Sequence, residues 1–152
     1  MNIRRVGMDD AEVVSNLVLR LLRELVPERA DTFEPEIFTK RAQRLLLNDD
    51  LVCGFLACDD DDEAVGLIML AECTAIYAGG TFGVITELYV PPEDRSKGIA
   101  SSLIQAAATF AKERDWTHLE VTAPPLPTWR RTVDFYLREG FTVVGPRLKR
   151  TL

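Results

Sequence analysis

The stretch Arg95-Ser96-Lys97-Gly98-Ile99-Ala100-Ser101 holds the residue types and spacing best suited to chemistry in this chain. It follows a strand-like run, Ile85 to Val90, that stops at Pro91 and Pro92, and it precedes a clean helical pattern. A helix start leaves about four N–H groups without intrahelical partners and carries a partial positive charge, which together suit an anion. Gly98 would let a bulky anion approach the backbone without meeting a Cβ. Ala100 keeps the first turn slim, Arg95 and Lys97 add charge, and Ser96 and Ser101 add hydroxyl donors. A plain helix start with solvated cations is the competing reading, and spacing alone does not choose between them. Neither GxxxxGK[ST] nor GxGxxG occurs, so the loop is not a P-loop and a dinucleotide-binding turn is not indicated.

The elements that must position this loop can be read from periodicity. Ile3 to Val6 reads as a strand. Asp9 or Asp10 can cap a helix whose stripe runs Val13, Val14, Leu17, Val18, Leu21, Leu22 and Leu25, ended by Pro27. Pro35 suits the first turn of a second helix reaching Leu47. Leu51 to Ala57 and Ala64 to Tyr77 read as strands, the latter with a bulge at Gly66. The five acids Asp59 to Glu63 between them form a solvated turn and lack the ligand spacing of an EF-hand loop. Ala78-Gly79-Gly80 turns the chain into a strand from Phe82 to Val90. Helical period resumes from Ser96 to Arg114, with Ile99, Leu103, Ile104, Ala107, Phe110 and Ala111 on one face. Trp116 to Val121 reads as a strand. After Pro124, Pro125 and Pro127, Thr128 can cap a short helix to about Glu139, with Gly140 at C′. Phe141 to Val144 and Arg147 to Leu152 read as closing strands. The expectation is one α/β (α+β) domain over residues 1–152, a mixed, mostly antiparallel sheet of about seven strands flanked by about four helices.

Composition narrows the function classes. A chain of 152 residues that is 47% hydrophobic and 28% charged is long enough for a real core. Its net charge of −6 argues against general nucleic-acid binding, which needs a basic face. No apolar run reaches the roughly 18 residues of a membrane span, and the N-terminus lacks the apolar core of a signal peptide. A cytoplasmic protein with no membrane partner is expected. Cys53, Cys58 and Cys73 are not paired as CxxC, and His118 is the single histidine, so no metal site is expected and the thiols read as reduced.

The run "LYVPPEDRSKGIASSL" between strand and helix resembles the acyl-CoA signature [Q/R]-x-x-G-x-[G/A] of the GNAT superfamily of N-acetyltransferases, matched by Arg95, Gly98 and Ala100. "FYLREGF", Phe135 to Phe141, is similar to that family's late helix and following strand, and the element order matches along nearly the whole chain. The resemblance implies acetyl-CoA as co-substrate. Leu88, Tyr89 and Val90 would present main chain to the pantetheine arm, and Ser96, Lys97, Gly98, Ile99, Ala100 and Ser101 would hold the pyrophosphate beside Arg95. Tyr136 would contact the cofactor and protonate the departing thiolate. Its competing role is core packing, since Trp129, Val133 and Tyr136 share a helical face.

For the base that accepts the amine proton, Glu87 is the first candidate and Glu120 the second. Either carboxylate could equally be a solvated or paired side chain, and His118, on the face of Glu120, reads as structural. Trp129 stands where many members carry an asparagine, and the segment "TAPPLPT" (Thr122 to Thr128) looks longer and more rigid than usual. The resulting expectation is an acetyl-CoA-dependent transferase acting on a primary amine by direct ternary-complex attack. The acceptor would be a small molecule or a protein. A catalytically inactive acyl-CoA-binding sensor or interaction module is the alternative. A homodimer is expected, through the sheet edge the closing strands would offer.

Overall fold

The computed structural model describes residues 1–125 and 127–152. Leu126, inside the proline-rich segment, lies outside the described residues. The chain forms β1 (Asn2–Arg5), α1 (Ala11–Leu25), α2 (Pro35–Leu46), β2 (Val52–Cys58), β3 (Ala64–Ala75), β4 (Gly80–Tyr89), α3 (Ile99–Glu113), β5 (Leu119–Val121) and α4 (Arg130–Arg138), with short 3-10 turns between several of them.

The strands lie in the order β1-β2-β3-β4-β5. The first four are antiparallel, and β5 joins β4 in parallel. Strand β3 is buried on both faces. Leu67 and Met69 pack with Val14, Leu17 and Leu46 under α1 and α2, whereas Ile68 and Leu70 pack with Ile99, Leu103, Ile104 and Ala107 under α3. This period-2 division is what a two-sided helix cover requires of a central strand.

The acid run is a turn: the Asp59 carboxylate accepts from the amides of Asp61 and Glu63 at 3.0 and 2.9 Å. The bulge expected at Gly66 falls one residue earlier, where Ala57 faces Gly66 and Cys58 faces Ala64, leaving Val65 unopposed. Asp10 precedes α1, and its carboxylate takes the Gly7 amide at 2.7 Å and both terminal nitrogens of Arg4 at 2.8 and 2.7 Å.

Among the described residues the sheet has five strands, and the two expected closing strands are not formed. The local sequence explains this. Gly145 adopts φ +135° and Pro146 offers no N–H, so the ladder is broken between them. Val143, Val144 and Leu148 are almost fully exposed, so no apolar face draws the segment onto the sheet. Among the described residues the sheet edge that the expected homodimer would use is therefore not formed. The strand expected from Trp116 is also shorter, because the Trp116 indole turns into the core and donates to Glu72 at 2.7 Å.

Among the described residues no helix is long and apolar enough to cross a membrane, and no cluster of three or more His, Cys, Asp or Glu could hold a metal ion.

Candidate active site

Strands β4 and β5 pair only over Gly83–Leu119, Val84–Glu120 and Ile85–Val121. Beyond that point β4 runs on to Tyr89, while Pro124 and Pro125 carry the other chain away. The main chain of Thr86 to Tyr89 thus has no strand partner on that side. On its other side, Glu87 opposes Met69 and Ile85 opposes Leu70, which leaves Thr86 as a bulge. The bulge flips the alternation of faces. Ile85 and Leu88 pack toward α3, whereas Tyr89 packs toward α1, the side of Glu87's partner Met69. The divergence opens a cleft of about 820 Å³, bounded by β4, α1, the N-terminus of α3 and α4.

One wall is the loop before α3. Gly98 occupies the N-cap with φ +79°, ψ 1°, and Ser96 also has positive φ, at 66°. A Cβ at Gly98 would meet nothing within 4 Å, so glycine is needed here for its backbone conformation and not for space inside the protein. The first intrahelical bond is from the Ser102 amide to the Gly98 carbonyl at 3.0 Å. Among the described residues, the amides of Ser96 through Ser101 take no partner. Ser96, Gly98, Ile99, Ala100 and Ser101 all line the cleft. A row of unpaired amides at a helix N-terminus has the geometry that suits an anion.

The side chains of this loop behave differently from the expectation. Arg95 lines the cleft, but its Nη2 donates to Glu24 of α1 at 2.6 Å and its Nε donates to the Val90 carbonyl at 2.9 Å. Lys97 pairs with Asp94 at 2.8 Å and is not part of the lining. Ser101 donates its hydroxyl to Glu139 at 2.6 Å, leaving only its amide free. The positive charge on the cleft comes also from Arg131, Arg138 and Arg147, which sequence reasoning missed. Arg131 donates to Ser96 Oγ at 3.1 Å.

Tyr136 lines the cleft from α4 and is buried, with the rings of Phe135 and Phe141 at 5.4 and 5.5 Å. Among the described residues its hydroxyl makes no hydrogen bond, and burial pushes it up to about 12, so it stands as a protonated donor. Glu87 lines the same cleft; burial raises its carboxyl above the usual range, partly offset by the Thr86 hydroxyl. Both therefore face one space.

Glu120 does not. Its carboxylate accepts from His118 Nε2 at 3.0 Å, and it lines a separate groove on the outer side of β5, where His118 stacks on Phe82 at 4.8 Å. Trp129 immediately precedes α4 and does line the cleft. Cys73 sits on β3 opposite Phe82, outside the cleft, and burial pushes the Cys53 thiol up to about 11, so neither sulfur is placed as a nucleophile here.

Residues 18–141 match the model of the Acetyltransferase (GNAT) family. An uncharacterized N-acetyltransferase of Archaeoglobus fulgidus is 31% identical over 116 residues, covering 76% of each chain. The chain belongs to the GNAT family of acetyltransferases. Among solved structures, a possible acetyltransferase from Clostridium difficile 630 superposes with a TM-score of 0.82 at 18% identity, over 99% of this chain and 97% of that one. A predicted acetyltransferase from Clostridium acetobutylicum, solved with acetyl-CoA, gives 0.74 at 21% identity over 99% and 95%. Both share the fold.

Proposed function

We propose that the protein transfers the acetyl group of acetyl-CoA to a primary amine by direct attack within a ternary complex. One observation carries the reading: the unpaired amides of Ser96 and of Gly98 to Ser101 belong to residues that line the same cleft as the unpaired β4 edge, Glu87 and Tyr136. Family membership supports acyl transfer, and the C. acetobutylicum relative in fold binds the same donor.

In this reading the amides of Ser96 to Ser101 hold the pyrophosphate, as helix N-termini do. The β4 backbone from Leu88 to Val90 pairs with the pantetheine arm as a sheet edge pairs with an added strand. Arg131, Arg138 and Arg147 add cationic donors for the remaining phosphate. Glu87 accepts the proton of the attacking amine as the N–C bond forms. Its raised proton affinity makes it a better base than a solvated carboxylate. Tyr136 gives its hydroxyl proton to the sulfur as the C–S bond breaks, and is reprotonated from solvent. Glu120 lines the outer groove and not the cleft, and it has no part in this scheme. The test is release of free CoA from acetyl-CoA over a panel of polyamines, aminoglycosides, amino acids and lysine peptides. Turnover that requires one amine class supports the reading; CoA binding without turnover on any amine contradicts it.

A further inference from the structure

An anion loop does not require a carboxylate beside it, yet Glu24 reaches Arg95 from α1, 71 residues earlier in the chain. Its two oxygens have different partners. Oε2 accepts from Arg95 Nη2 at 2.6 Å, and Oε1 accepts from the Tyr89 hydroxyl at 2.6 Å. Arg95 in turn donates its Nε to the Val90 carbonyl at 2.9 Å. The guanidinium groups of Arg95 and Arg20 both lie 5.8 Å from the Tyr89 ring centre. Arg20, one turn before Glu24, donates to Glu93 at 2.7 Å. The links from Glu24 and Arg20 therefore join α1 to the segment Tyr89–Arg95, which leads directly into Ser96.

Ser96 holds φ +66°, a conformation that side-chain-bearing residues rarely adopt, so its neighbours must over-determine it. Arg95 is the residue fixed from both ends immediately before it. Burial and Glu24 together push the Tyr89 hydroxyl up to about 12, so that leg of the clamp stays a donor at any working pH. Leu21 and Leu25, on either side of Glu24 in α1, line the cleft.

We infer that Glu24 is a positioning residue, which locks the Arg95–Ser96 backbone so that the amides of Ser96 to Ser101 face the donor, and which ties their alignment to the place of α1. This rests on the proposed assignment of those amides to CoA. Arg95 then serves CoA through its backbone and its bond to Val90 more than as a free cation.

Calorimetry with CoA itself as the probe tests this, on the full chain and below the melting temperature of each variant. Glu24→Gln keeps the side-chain length but removes the charge that holds Arg95. It is expected to weaken CoA by roughly tenfold or more, the size of one charge-assisted hydrogen bond. Tyr89→Phe keeps the ring and removes one leg, so it stays folded and should give a smaller loss in the same direction. Because Glu24 and Arg95 act through one clamp, Glu24→Gln combined with Arg95→Met should lose little more than Arg95→Met alone. In turnover the acetyl-CoA KM should rise while kcat stays near wild type, and Glu24→Asp, too short to reach both partners, should not restore it. Wild-type CoA affinity in both Glu24→Gln and Tyr89→Phe, or losses that simply add in the double variant, overturns the inference. Absence of CoA binding by the wild-type chain would instead overturn the donor assignment on which it rests.

Discussion

Substituting Gly98 separates the fold from the proposed anion site, because the structure predicts different effects on each. The residue has φ +79°, where a Cβ costs about 1–2 kcal/mol in an L-residue. A Cβ there meets no atom within 4 Å, so no packing penalty adds to that strain. For a chain of this size each kcal/mol shifts Tm by about 2–4 °C, so Gly98→Ala should melt roughly 2–8 °C lower and remain folded. Gly98→Glu carries the same backbone strain and adds a carboxylate on the cleft wall. Two like charges about 5 Å apart at an effective dielectric of about 20 repel by about 3 kcal/mol, which is more than a hundredfold in affinity. The assay pairs thermal unfolding followed by circular dichroism with calorimetry against CoA at low salt. Contrast comes from Gly83, where a Cβ would clash with the Trp116 ring and Gly83→Ala should cost far more stability. If Gly98→Glu binds CoA as wild type does, the amides of this loop are not the anion site. If Gly98→Ala fails to fold, the open surroundings assigned to Gly98 are wrong.

Three further outcomes follow from the site and its frame. Tyr136→Phe keeps the packing against Phe135 and Phe141 but removes the proton, so kcat should fall by about 10²–10⁴ with little change in acetyl-CoA KM; wild-type activity should show no loss from phenol ionisation up to about pH 10, since burial holds the hydroxyl near 12. Glu87 has its proton affinity raised by burial, so its ionised form weakens the fold. That contribution to stability is full below the ordinary carboxylate pKa and is lost as pH rises through the raised value. Glu87→Gln should therefore raise Tm at neutral pH, with the gain vanishing in acid, while kcat falls most at low pH where the amine is protonated; thermal scans and pH–rate profiles check both. Asp10 is the reverse case: hydrogen bonds from Arg4 hold its carboxyl below the usual range, so its contribution is present at neutral pH and is lost as pH falls through that lowered value. Asp10→Asn should cost about 1–3 kcal/mol at pH 7 and progressively less in acid, as chemical denaturation at several pH values would show.

What the sequence made legible was local. Pro91 and Pro92 after an apolar run, then Gly98 before a helical stripe, mark the loop that ends β4 and starts α3, because each residue acts on its own backbone. Gly140, with φ +90°, ends α4 where glycine at C′ was expected. The interleaved apolar residues of β3 announced burial on both faces. The misses share a different cause. Arg95 looked like a free cation because its partner Glu24 lies on another element far away in sequence. The bulge at Thr86 is invisible in the unbroken run Ile85 to Val90, yet it decides which face carries Glu87. Arg131, Arg138 and Arg147 are spaced as ordinary surface charges, and only the approach of α4 and the C-terminal segment brings them to the cleft. Glu120 alternates correctly on its strand, but three residues of pairing with β4 leave it on the outer side with His118. Val143 and Val144 suggested a strand by residue type, while Gly145 and Pro146 removed the means to pair it.

The most direct measurement is a titration of the ¹⁵N-labelled protein with CoA, followed by the backbone amide resonances. The account predicts that the amides of Ser96 to Ser101 shift most, with Leu88, Tyr89 and Val90 moving at the same CoA concentrations. Shifts confined to the outer groove around His118 and Glu120, or a flat response across residues 88–101, would contradict it.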